Sequence, residues 1–298
     1  MSLPLNEIPI VKQACTSCLY PRLIQLDRNH VITVGCGHCI PCRIKKTKEW
    51  SLRLEMESKD YSFNDIQFVT LTYDNDNVPF AMSLDGSECS ITLLKRDLQL
   101  FFKRLRKRLD YQVRYFAVGE YGCRTGRPHY HAIIFGLKAK DVYLVKECWK
   151  LGFTLTKPFF NQTTYYIAGY VQKKLFKRED YGCATPPFLV CSQGLGLNFI
   201  FRPDILANIK NDPEHCIWVN GFKRSLPRYF REKLYDLGYL PKPTYDELLE
   251  LQRLQSEELL DFLEDKGCTL RDYKLAQVAE AKRKDIKNNR TRNSNMEV

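Results

Sequence analysis

The stretch Gly126-Arg127-Pro128-His129-Tyr130-His131-Ala132-Ile133-Ile134-Phe135-Gly136 decides how this chain is read. An apolar run bounded by glycine and proline reads as a strand. Side chains alternate faces along a strand, so His129 and His131 point one way and Tyr130 the other. Two imidazoles on one face can hold a metal ion. Tyr111 to Tyr121 reads as a second strand, and Gly122, Gly126 and Pro128 mark the connection as a hairpin loop. Glu120, near the end of that strand, then swings alongside the histidines. A carboxylate with two imidazoles and open coordination positions suits a hard or borderline divalent cation that also binds a phosphate oxygen. Such a site polarises phosphorus for attack. The plainer reading of an isolated His-x-His is two satisfied strand histidines, and Glu120 weighs against it.

Further along, Asn161-Gln162-Thr163-Thr164 offers N-cap residues ahead of Tyr165 to Phe176, whose apolar positions fit a helix. Residues four apart share a helical face, which aligns Tyr166, Tyr170 and Lys174. A phenol ionises near pH ~10 unperturbed, so a neighbouring cation or metal favours the phenolate nucleophile. Lys173 and Lys174 are the candidates for that role. Alone, aromatic residues at this spacing would be read as core packing.

Taken in order, Phe68-Val69-Thr70-Leu71-Thr72-Tyr73, Pro128 to Phe135 and Tyr166 to Lys174 resemble the first motif strand, the two-histidine strand and the tyrosine helix of the HUH endonucleases. More closely, the chain resembles the replication initiators of gokushovirus-type microviruses, small single-stranded DNA phages, over roughly Cys15 to Phe230. Glu120 matches the family's third metal ligand. Lys173 follows Tyr170 as a lysine does in related two-tyrosine initiators, whereas Gly169 holds that place after Tyr166. The resemblance implies a ferredoxin-like central sheet and rolling-circle replication. One tyrosine attacks a phosphodiester at the origin, leaving a 5′-phosphotyrosyl adduct and a 3′-hydroxyl primer; the second later rejoins the displaced strand into a circle. It further implies Mg²⁺ or Mn²⁺ at Glu120, His129 and His131, single-stranded and replicative-form origin DNA as substrate, a host helicase and host DNA polymerase as partners, and action in the bacterial host cytoplasm.

Composition agrees with a nucleic-acid partner. The 298 residues carry 46 Lys and Arg against 35 Asp and Glu, a net charge of +11. The excess clusters in Arg43 to Lys48, Lys95 to Arg108, Lys173 to Arg178 and Lys282 to Arg292. Arg43, Lys45, Lys46, Arg124 and Arg127 are the candidate DNA-binding residues. Lys95 to Arg108 reads as an amphipathic helix with Leu94, Leu98, Phe101, Leu105 and Leu109 as its apolar stripe, and its basic face serves either solvent or DNA.

Five of the 12 cysteines form a pattern, Cys15-Thr16-Ser17-Cys18 and Cys36-Gly37-His38-Cys39-Ile40-Pro41-Cys42. Thiolates two apart on tight turns converge on a tetrahedral ion, which points to structural Zn²⁺ on Cys15, Cys18, Cys36 and Cys39, with Cys42 or His38 as substitutes. The plain alternative is a set of buried reduced cysteines. In a reducing cytosol structural disulfides are not expected.

The expected architecture is α+β with an antiparallel central sheet. It divides into a cysteine-rich segment and basic helix (1–60), a catalytic core (61–180), a loop-rich accessory region (181–243), and a helix with a disordered basic tail (244–298). Thr244 and Glu247 form a capping box ahead of an amphipathic helix. Neither an N-terminal apolar leader nor a membrane-length apolar run is present, and no phosphate-binding Gly-x-x-x-x-Gly-Lys-Ser/Thr loop indicates an internal helicase. Two rivals to the nicking reading are a relaxase or transposase of the same superfamily and, from another class, a zinc-containing nucleic-acid-binding protein without catalysis.

Overall fold

The computed structural model describes residues 18–28, 30–122, 125–159, 169 and 181–294, and side chains as far as 283, apart from 281. In chain order the described strands and helices begin with β1 (Arg22–Gln25), β2 (Val31–Val34), α1 (Ile40–Ser58), β3 (Ile66–Tyr73), β4 (Phe80–Met82) and β5 (Cys89–Ile91). Next come α2 (Lys95–Arg108), β6 (Arg114–Tyr121), β7 (Pro128–Phe135), α3 (Tyr143–Cys148), β8 (Gly152–Pro158) and β9 (Phe188–Cys191). The rest are α4 (Leu197–Ile200), α5 (Pro203–Asn211), β10 (Cys216–Val219), β11 (Phe222–Ser225), α6 (Arg228–Asp236), α7 (Tyr245–Asp265) and α8 (Leu270–Ser294). The chain divides into two compact units, residues 46–240 and residues 1–45 with 241–298.

The larger unit is built on a five-stranded sheet in the order β8-β3-β7-β6-β9, every neighbouring pair antiparallel. This is the α+β class with an antiparallel sheet that the sequence predicts. Along the chain β3, α2, β6, β7, α3 and β8 follow as β-α-β-β-α-β, and β9 adds a strand beside β6.

Alternation sorts the central strands onto two faces. On one, Val69, Leu71, Tyr73, Ala117, Tyr130, Ala132 and Ile134 meet Leu98, Phe101, Phe102 and Leu105 of α2 and Leu144, Val145 and Cys148 of α3. The stripe predicted for the basic helix is thus its packing face. Arg104 Nε donates to the Cys148 carbonyl (2.8 Å), an Arg106 guanidinium N–H to the Val113 carbonyl (3.2 Å), and Arg108 pairs with Glu147, so much of its basic side is engaged within the protein. The Tyr73 and Tyr130 hydroxyls meet at 2.7 Å in this core. Tyr73 also donates to Asp97 (2.8 Å), and Tyr130 bonds the Leu94 carbonyl and accepts from its amide, both at 3.0 Å. Buried hydroxyls keep such partners because burial without them costs about 1–3 kcal/mol.

On the opposite face Ile66, Phe68, Phe116, Val118, Ile133 and Phe135 pack beneath Leu54 and Trp50 of α1. Glu57 of α1 is buried there and accepts from Arg114 Nε (2.6 Å) and the Gly196 amide (2.7 Å). A buried carboxylate is tolerated only with partners of this kind. At the start of β8, Gly152 (φ +146°) admits no side chain, since a Cβ would stand 2.3 Å from the Asp74 nitrogen. Residues 203–240 close a third cluster, where Ile209, Ile217, Val219, Phe230 and Leu234 pack on Leu52 and Met56.

In the smaller unit β1 and β2 form an antiparallel hairpin. The expected capping box opens α7, with Thr244 Oγ1 accepting from the Glu247 amide and Glu247 from the Thr244 amide. Leu259 and Leu263 pack on Tyr273 and Ala276 of α8. One expectation is corrected: residues 282–294, read as a disordered tail, continue α8. Polar composition removes a buried face, but the segment contains neither proline nor glycine and nothing in it interrupts a helix.

Candidate functional site

The hairpin β6–β7 brings the predicted ligands together. Its register sets Glu120 directly opposite His129, with Val118 opposite His131. All three candidate side chains therefore emerge from one face of adjacent strands, and their ligand atoms lie within 4.8 Å of one another. Glu120 Oε1 stands 3.0 Å from Nε2 of both histidines. The cluster is dry, with Glu120 1% and His131 7% exposed.

The far nitrogens of the rings are held as well. His129 Nδ1 lies 3.0 Å from the Arg127 carbonyl, and His131 Nδ1 lies 3.0 Å from Thr70 Oγ1 of β3. A carbonyl only accepts, so His129 carries a proton on Nδ1 and turns Nε2 toward the carboxylate. Partners of this kind orient metal-binding imidazoles and raise their basicity. Phe68 stacks on His131 (5.8 Å, 11°), and the two imidazoles meet edge to face at 4.9 Å. Two imidazole nitrogens converging on one oxygen of a buried carboxylate form a donor set that fits a divalent cation with positions left open. Thr70 falls within the first motif strand, yet its contact with His131 depends on strand pairing across 61 residues, which no local pattern signals.

The other predicted residues distribute as follows. Tyr166, Tyr170, Lys173, Lys174, Cys15 and Arg124 lie outside the described residues. Arg127 donates to the Tyr73 carbonyl (2.8 Å) and to Asn75 Oδ1 (2.5 Å), so it ties the hairpin loop to the end of β3. Lys45 and Lys46 are exposed on α1 and Arg43 is half-buried.

The smaller unit contains a second ligand cluster. Cys18, Cys36, Cys39 and Cys42 bring their sulfurs within 4.8 Å of one another, whereas His38 is exposed and outside the group. Gly37 takes φ +80°, the left-handed turn that bends the chain around the sulfurs. Cys18 Sγ accepts from the Cys36 amide (3.1 Å), and Cys36 Sγ accepts from the amides of Cys39 (3.3 Å) and His38 (3.4 Å). Burial pushes the Cys18 and Cys42 thiols up. Burial acts on Cys36 in the same sense but is outweighed by those two amides and by the Cys18 and Cys39 thiols, which hold it down to about 6. A tetrathiol group with one ready thiolate fits a structural zinc site.

With this geometry in view, comparisons with known proteins define the class. Residues 66–175 match the family model of the replication-associated protein ORF2, a span that takes in β3, both ligand strands and the tyrosine segment. The chain is 30% identical over 251 residues to the replication-associated protein ORF4 of Chlamydia phage 1, covering 73% of this chain and 59% of that protein. It is 27% identical over 274 residues to the replication-associated protein ORF2 of Spiroplasma virus 4 (80% and 83% covered). With the replication-associated protein VP4 of Bdellovibrio phage phiMH2K it shares 26% identity over 278 residues (82% and 83% covered). The chain is thus a relative of the replication-associated proteins of microviruses, the group its motifs resemble. No solved structure matches it.

Proposed function

We propose that this chain is a rolling-circle replication initiator that nicks and rejoins single-stranded DNA at a phage origin through a phosphotyrosyl intermediate. The convergence of His129 Nε2 and His131 Nε2 on Glu120 Oε1, with both Nδ1 atoms held, carries the reading. The β-α-β-β-α-β order, with β3 beside the histidine strand, supports a ferredoxin-like HUH core. When bound at these residues, Mg²⁺ or Mn²⁺ would polarise the scissile phosphate and stabilise the charge that develops on it.

The protein's own part in the reaction is assigned as follows. The phenolate oxygen of Tyr166 or Tyr170, favoured by Lys173 or Lys174, attacks phosphorus. The O–P bond to the tyrosine forms, the bond to the 3′-oxygen breaks, and that oxygen leaves as a 3′-hydroxyl after gaining a proton. The hydroxyl primes a host polymerase behind a host helicase. The other tyrosine then attacks the regenerated junction, and the freed hydroxyl displaces the first tyrosine to close the circle. Thr70 and the Arg127 carbonyl keep the imidazoles aligned. The Cys18, Cys36, Cys39 and Cys42 cluster holds structural zinc, and Arg43, Lys45, Lys46, Arg124 and Arg127 serve the phosphate backbone. On this reading the protein works in the cytoplasm of an infected bacterium. Among the described residues no helix is long and apolar enough to cross a membrane.

The deciding experiment incubates the chain with single-stranded oligonucleotides tiled across the replicon, with Mg²⁺ or Mn²⁺ and with EDTA, and resolves protein–DNA adducts on denaturing gels. A metal-dependent adduct lost in the Tyr166→Phe, Tyr170→Phe double variant supports the reading. DNA binding without an adduct under every metal and sequence would leave the non-catalytic binder in its place.

A further inference from the structure

Strand β8 inverts the usual arrangement of an edge strand. It closes one side of the sheet, and apolar side chains on such a strand ordinarily face the core while polar ones face water. Here Phe153 is 68% and Leu155 53% exposed, whereas Thr154 and Thr156 between them are half-buried. Adjacent exposed apolar side chains of this size mark surfaces that bind something.

The register shows what lies beside them. Phe153 pairs with Thr72, and Thr72 in turn with His129; Leu155 pairs with Thr70, and Thr70 with His131. Paired residues share a face, so Phe153 and Leu155 stand on the same face as Glu120, His129 and His131. One strand separates them from the histidines, a lateral distance of ~10 Å. Lys157, paired with Phe68, continues the exposed row and brings a cation to it. An aromatic ring, an aliphatic side chain and a lysine in a row, floored by the Thr70 and Thr72 hydroxyls, match the needs of a single strand whose bases stack and whose phosphates seek positive charge.

We propose that Phe153 and Leu155 form a stacking platform for the bases of single-stranded DNA next to the phosphate held at Glu120, His129 and His131. The proposal rests on the nicking reading for its substrate. The platform orients the strand and, because every base has an apolar face, tolerates different sequences.

The test uses the full chain with tiled single-stranded oligonucleotides bearing a fluorescent adenine analogue, in EDTA so that binding is read without chemistry. Phe153→Ala should weaken binding about tenfold and relieve quenching of the analogue, with a smaller loss in Leu155→Ala. Phe153→Trp should retain both signals. The salt dependence should stay at the wild-type slope, because no phosphate contact is removed. Unchanged affinity and quenching in the two alanine variants would overturn the proposal. So would a self-association, seen by sedimentation, that Phe153→Ala abolishes while oligonucleotide binding is untouched, since β8 would then pair with a second copy. Adduct assays on the same variants separate this idea from the one beneath it. A wild-type chain that forms no adduct but shows the Phe153 effect loses the nicking reading and keeps the platform, whereas equal adduct yield and KM with unchanged binding does the reverse.

Discussion

His131 and Tyr130 are neighbours on one strand, yet they belong to two differently built faces. The face that takes Tyr130 is sealed by α2 and α3, and each hydroxyl in it is matched by a partner within the protein. The face that takes His131 is roofed by α1 over Phe68, Phe116 and Ile133, and beyond them it gathers a carboxylate and two imidazoles around a shared point. One face shows how polar groups are buried when they serve stability alone. The other shows groups held by outer partners while their inner atoms converge on each other, an arrangement stable folding does not require.

The sharpest way to break this contrast is His131→Ala. On the proposed chemistry it should reduce adduct formation by roughly a thousandfold or more, since the metal's contribution is worth several kcal/mol. Salt-sensitive DNA binding, which phosphate contacts elsewhere supply, should largely persist in a mobility-shift assay; parallel loss of both would count against the assignment. Leu71→Ala, on the sealed face, should cost about 2–5 kcal/mol in denaturant unfolding while Mn²⁺ affinity by calorimetry stays near wild type. Thr70→Val removes the hydroxyl at His131 Nδ1 and should weaken metal affinity or nicking by about 10–100-fold with little loss of stability. Tyr73→Phe, which removes the hydroxyl shared with Tyr130 and Asp97, should cost about 1 kcal/mol and leave nicking unchanged.

A pH series gives the smallest effect. Burial foremost pushes the Tyr130 phenol up to about 12, and it likewise raises Tyr61 to about 12, with the Glu57 charge adding to it. The unfolded chain releases these protons from about pH 10, so the folded state binds more protons above that value. Stability should be level through neutral pH and fall as pH rises beyond about 10. A flat profile to pH 12 would mean that these hydroxyls ionise as easily folded as unfolded.

Local pattern carried a large share of this architecture. β3 was legible as the run Ile66 to Tyr73, and β7 through its alternating histidines, because two-residue periodicity and glycine or proline boundaries are local signals. The pairing of Glu120 with His129 followed from hairpin logic. β9 was hidden, since its four residues follow Pro186 and Pro187 in a glycine-rich stretch and are strand only because β6 offers them an edge. The bonds of Arg127 to Tyr73 and Asn75 and of Thr70 to His131 were equally invisible, being products of tertiary pairing. In the cysteine segment the spacing pointed to a four-ligand group. Which thiols fill it depends on how the chain curls at Gly37, and the described group includes Cys42.

The β6–β7 hairpin also bears on how the protein assembles. Glu120, His129 and His131 are separated by at most 11 residues of chain, so the loop that must close to bring them together is short and its entropic cost small. Hairpins of this kind form within microseconds, whereas β3 must join from 61 residues away to deliver the Thr70 hydroxyl. The three ligands can therefore meet early on the folding route, before the sheet that aligns them is complete, and a divalent ion present at that stage would bind a half-built site and help draw the remaining strands onto it.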